Sequence, residues 1–132
     1  MGVKRSIHEA VGGFDESWPE REDTDYCLRI QLAGTSLTFV PDACVNVRLR
    51  ESYTGSFIQR FRWGNGDPRL YAKYGFHDPA HHPLKIGLAG WVSLARHVKS
   101  IHRPSHRWAF VCTAGYLLGR LEGSIRSRKI LP

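Results

Sequence analysis

Apolar positions recur along this chain at two periods, and the switches between them lay out its elements. Ser6 and Glu9 stand at capping-box spacing, and Ile7 to Val11 followed by Gly12-Gly13 predicts a short helix closed by glycine. From Glu22 to Ala33 the apolar residues Cys27, Ile30 and Ala33 repeat at helical spacing with Leu28 and Leu32 beside them. Gly34 suits the left-handed position just past that helix. A period of two then takes over. Leu37 to Val40 is a β-prone run stopped by Pro41-Asp42, and Val45, Val47 and Leu49 alternate with Asn46, Arg48 and Arg50, as in a strand with one buried face. Two strands, or a strand and an extended segment, are expected.

The helical period returns at Ser56 to Gly64, where Phe57 and Phe61 share one face and Gln59, Arg62 and Trp63 meet on another. Asp67-Pro68 reads as the cap and start of a further short helix ending at Gly75. A helix from Pro83 to about Ile101 and a last one from about Arg107 to Arg126 follow. The last carries Gly115, Gly119 and Gly123 four apart, on one stripe free of side chains. His77, His81 and His82 surround Asp78-Pro79 without established ligand spacing, so a solvated loop is expected there in preference to a metal site.

Composition narrows the class. The 132 residues are 42% hydrophobic and 23% charged, which suits one globular domain and excludes a disordered or fibrous chain. Uncharged runs such as Ile86 to Ala95 and Trp108 to Gly119 fall far short of the roughly 18–20 apolar residues that span a bilayer, so no transmembrane helix is expected. Cys27, Cys44 and Cys112 form no CxxC or CxxH pair, which points to buried thiols in a reducing cytosol and not to a disulfide framework or zinc. The formal charge of +7 is unevenly spread. Residues 1–47 hold four basic and eight acidic side chains, net −4, and residues 48–132 hold fifteen and four, net +11. A basic half suits an anionic partner: a nucleotide diphosphate, a lipid phosphate, a membrane surface or RNA. RNA ranks lowest, because no RRM, KH or helix-turn-helix signature is present.

Two constellations could carry chemistry. Glu22-Asp23-Thr24-Asp25 places three carboxylates at a helix start. They can simply favour the positive end of the helix, with Asp25 pairing to Arg29 one turn on, or one of them can serve as a general base toward a hydroxyl. In Gln59-Arg60-Phe61-Arg62-Trp63, Trp63 can be core of an amphipathic helix. Alternatively, Arg62 can offer its planar fork to a phosphate while Trp63 offers a flat surface for a sugar ring.

In order along residues 1–75 come Lys4-Arg5-Ser6, Val11-Gly12-Gly13-Phe14-Asp15-Glu16, Glu22-Asp23-Thr24-Asp25-Tyr26-Cys27-Leu28-Arg29, Ala33-Gly34, Phe39-Val40-Pro41-Asp42-Ala43 and Gln59 to Trp63. This ordered set resembles the C-terminal half of the catalytic domain of a family 2 glycosyltransferase. The resemblance implies an α/β chain, a partial GT-A fold, with residues 1–76 as its acceptor-side half and residues 77–132 as a basic helical extension. It implies inverting transfer from a nucleotide-diphospho-sugar to a hydroxyl of a glycan or lipid-linked acceptor, as in cell wall or polysaccharide biosynthesis.

By the same resemblance Asp23 is the general base, Glu22, Asp25 and Trp63 shape the acceptor site, and Arg62 with Gln59 lies near the donor diphosphate. Mg²⁺ or Mn²⁺ is expected for the full enzyme, with ligands mostly outside this chain and no metal ligand assigned within it. The DxD-bearing half has no counterpart here, and Val45-Asn46-Val47 stand where many relatives carry a metal-binding histidine. The expectation is therefore a fragment or one half of a split enzyme, inactive alone, needing its N-terminal half or a second copy. Residues 83–129, rich in Lys and Arg among apolar positions, suit either helices packed onto the catalytic domain or helices lying on an anionic membrane, the latter implying a cytoplasmic protein peripheral at the inner face of the cell membrane. A non-catalytic basic module, binding an anionic membrane or RNA, is the rival class.

Overall fold

The computed structural model describes residues 2–48, 50–75 and 83–128. The elements in order are α1 (Arg5–Ala10), α2 (Glu22–Leu32), α3 (Tyr53–Tyr74), α4 (Pro83–Lys99) and α5 (Pro104–Ser127). They fall into two compact units, Met1–Arg48 and Leu49–Pro132. The division places α3 with the two helices that follow it, whereas residues 1–76 were expected to group together. His77, His81 and His82 lie outside the described residues.

In the first unit the glycines act as the sequence suggests. Gly12, Gly13 and Gly34 take φ of +77, +69 and +85°, a region closed to most side chains, and end α1 and α2 there. The capping box at Ser6 does not form: α1 starts from Lys4 without a side-chain cap. Helix α2 likewise starts from Arg21, in the left-handed region at φ 69°, with no side-chain cap. The buried core of this unit is Trp18, Tyr26 and Ile30. The Phe14 ring stacks on Tyr26 with centroids 4.3 Å apart, and the Tyr26 hydroxyl lies 2.7 Å from His8 Nδ1.

The expected strands are absent, and with them the α/β, GT-A-type sheet. Among the described residues there is no strand at all, and residues 35–48 run as turn and irregular backbone. Their apolar side chains face solvent, Phe39 at 88% exposure and Val45 and Val47 at about three-quarters. The physical reason lies in what a strand requires. Alternation specifies a buried face only if another strand supplies the ladder and another layer covers that face. No second strand exists among the described residues, so the Val45/Val47 alternation has nothing to pair with.

The second unit is three helices. Ser52 caps α3, its hydroxyl accepting from Gly55 N at 3.0 Å. The helix then runs unbroken to Tyr74, so the two short helices expected on either side of Asp67-Pro68 are one. A proline inside a helix costs about 3 kcal/mol in isolation. Here Pro68 is fully buried, and packing along the whole of α3 offsets the lost backbone bond.

That packing is set by glycine. A Cβ on Gly115, Gly119 or Gly123 would come within 2.7, 1.9 or 2.3 Å of the carbonyl oxygens of Phe57, Phe61 and Asn65 respectively. The three contacts advance together, four residues at a time on both helices, so α3 and α5 run parallel with their backbones touching. From the α3 side, Gly64 repeats the device against Tyr116 O, where a Cβ would stand at 2.1 Å. Polar contacts lock the register: Asn65 Nδ2 donates to Glu122 Oε2 at 2.9 Å, and the Tyr116 hydroxyl donates to Asp67 Oδ2. Helix α4 runs antiparallel along α5, with Gly90 against Leu117 and the His97 ring edge-on to His106.

No cysteine is fully buried as expected. Cys44 is exposed, Cys27 and Cys112 are half-buried, and all three are free thiols.

Candidate functional site

The carboxylates at the start of α2 separate into two kinds. Asp25 has no solvent exposure, and its Oδ2 accepts from Arg29 Nε at 2.8 Å. The same guanidinium donates from Nη1 to Val11 O at 2.5 Å and from Nη2 to Gly13 O at 2.6 Å. Arg29 thus ties the helix to the glycine turn after α1. Only a planar fork with donors on several edges can hold a carboxylate and two carbonyls of a distant loop together. Asp25 therefore orients Arg29, and it is closed off from any solute.

Glu22 and Asp23 are both exposed. Asp23 Oδ1 accepts from Thr24 N at 2.7 Å and Thr24 Oγ1 at 3.2 Å, which holds the exposed carboxylate against the first turn of the helix. Of the three carboxylates, Glu22 and Asp23 are the ones a hydroxyl could reach.

Gln59, Arg62 and Trp63 lie on one side of α3, as the spacing predicts. At about 3.6 residues per turn they fall opposite Phe57, Phe61 and Asn65, the positions whose carbonyls meet α5. The gripped face and the presented face of α3 are thus separate. Arg62 is exposed, and Gln59 and Trp63 are half-buried. Arg60 is the residue that spacing alone overlooks. Its guanidinium lies 4.8 Å from the Trp63 ring centroid, a cation–π contact that holds the ring and covers part of its surface. Only the i, i+3 spacing of Arg60 and Trp63 on a helix could have signalled it.

The carboxylate group belongs to the first unit and the Gln59, Arg62, Trp63 group to the second. Each group is brought together within its own unit. For a divalent cation the described residues do not fit: no three His, Cys, Asp or Glu side chains among them are grouped to hold one, and Asp25 is committed to Arg29.

A stretch of 74 residues, 56% of this chain, is 30% identical to "Probable glycosyltransferase YdaM" of Bacillus subtilis (strain 168). The stretch spans 17% of that protein's length. No solved structure matches the chain. Residues 1–124, nearly the whole sequence, match the family described as glycosyl transferase family group 2, and the chain belongs to that family.

Proposed function

We propose that this chain supplies the acceptor-side part of a glycosyltransferase that moves a sugar from a nucleotide-diphospho donor to an acceptor hydroxyl in one displacement. The observation that carries the reading is the division of labour in α2: Asp25 is buried on Arg29, while Asp23 is exposed and held by Thr24. In the reaction the Asp23 carboxylate takes the proton of the acceptor hydroxyl as its oxygen attacks the anomeric carbon. The bond from that carbon to the diphosphate oxygen breaks on the opposite face, and the diphosphate leaves with the electron pair. Glu22, exposed beside Asp23, contacts the acceptor.

On α3, the Arg62 guanidinium suits the charge of a diphosphate, with Gln59 as a neutral donor beside it. Trp63, held by Arg60, offers its remaining surface to the acceptor sugar. Asp25 acts on the acceptor side only through Arg29 and the Gly12-Gly13 turn. Donor binding and any Mg²⁺ or Mn²⁺ take their ligands mostly from polypeptide beyond these 132 residues, and the 132-residue chain by itself is inactive.

A single displacement inverts the anomeric centre. Proton NMR of the first product formed by an enzyme containing this segment should show the configuration opposite to the donor's. Retention would overturn the single-displacement reading and, with it, the role given to Asp23.

A further inference from the structure

The outward side of α4 combines two kinds of residue that seldom share a soluble surface. Lys85, Leu88, Val92, Ala95, Arg96 and Lys99 are all exposed and follow one another at steps of one to four residues along one side of the helix. The opposite side is the one held by the fold, where Gly87 is buried and Gly90 meets Leu117. Leu88 is 62% exposed and Val92 49%, although each is a residue that water disfavours.

The charge around this face has one sign. From Pro79 to Leu121 the sequence contains no aspartate or glutamate, while the exposed Lys85, Arg96, Lys99, Arg103 and Arg107 all fall within that stretch. No helix among the described residues is long and apolar enough to cross a membrane. A helix of this make-up can still lie along one.

We infer that the exposed face of α4 docks on the surface of an anionic lipid bilayer, Leu88 and Val92 entering the acyl boundary and Lys85, Arg96 and Lys99 reaching the lipid phosphates. Charge complementarity selects an anionic surface, and the apolar stripe between the cations selects a bilayer over a soluble polyanion. A nucleic acid would engage the lysines and arginines and leave Leu88 and Val92 in water. The lysine and arginine stems are long enough to lie on apolar surface while their charged ends stay at headgroup level. The inference concerns the second unit alone and is independent of sugar transfer.

The test is co-flotation of the purified 132-residue chain with vesicles of phosphatidylcholine, with and without phosphatidylglycerol. The chain should partition onto the phosphatidylglycerol vesicles and release as salt is raised. Replacing Lys85, Arg96 and Lys99 together by Gln should weaken partition about 100-fold, at roughly five-fold for each charge near the leaflet. Leu88→Gln with Val92→Gln should weaken it about ten-fold or more while leaving binding to polyuridylate or heparin unchanged. All five positions are exposed, so the helical circular dichroism of each variant should match that of the parent. Equal partition onto both vesicle types would overturn the proposal. So would retention of anionic-vesicle binding in the Leu88/Val92 variant, the outcome expected of a polyanion site, or failure of the unaltered chain to float with either vesicle.

Discussion

Arg29 gathers most of the order in the first unit, because one guanidinium bonds Asp25 and the carbonyls of Val11 and Gly13. Breaking a buried ion pair from one side leaves the other charge without compensation and costs about 3 kcal/mol. Asp25→Asn should therefore lower the urea midpoint of the first unit, or erase its helical signal, since so small a unit has little stability to lose. Arg29→Lys keeps the charge and loses the fork, and about 1–2 kcal/mol is the expected cost in the same measurement. Asp23→Asn changes an exposed side chain and should leave the midpoint within about 0.5 kcal/mol. The Asp25–Arg29 pair was legible as an i, i+4 match. Its reach to Val11 and Gly13 was not, because carbonyls sixteen and eighteen residues away leave no mark in local spacing.

At the scale of elements, the parallel contact of α3 with α5 depends on places where no side chain can stand. The distances at which a Cβ would meet backbone oxygen, 1.9 Å at Gly119, 2.1 Å at Gly64, 2.3 Å at Gly123 and 2.7 Å at Gly115, give an order of severity. Gly119→Ala should be the most damaging, by about 3 kcal/mol, and Gly115→Ala the least, when the four variants are unfolded in urea. An equal effect at all four would mean that helix propensity, not backbone contact, is being measured. Helix ends were legible where glycine marks them: Gly12, Gly34 and Gly75 stand at positive φ past α1, α2 and α3, whereas α5 opens at Pro104, three residues before the start expected at Arg107. The misreadings share one cause. Pro68 looked like a helix start and Val45/Val47 like a strand from local pattern, and in each case a partner decides. Helix α5 is present to carry Pro68 through, and no strand is present among the described residues to receive Val45 and Val47.

At the scale of the whole molecule, the chain divides into two compact units after Arg48, and residues 35–48 before that point carry apolar side chains exposed to water. Backbone without helix or ladder bonds is the preferred ground for proteolysis. Brief trypsin treatment should cut first at Arg48 or Arg50 and leave a C-terminal fragment whose circular dichroism stays helical; early cuts within α3 or α5 would contradict the compactness of the second unit. Of the candidate site, the two clusters were readable from sequence and the division between buried Asp25 and exposed Asp23 was not, since it depends on where Arg29 folds back. That division is the centre of the functional account, and one measurement bears on it most directly: kcat for Asp23→Asn in an enzyme containing this segment, alongside its urea midpoint. The expected result is a fall of about 10²–10⁴-fold or more in kcat with donor binding and midpoint unchanged. Turnover near that of the unaltered enzyme would contradict it.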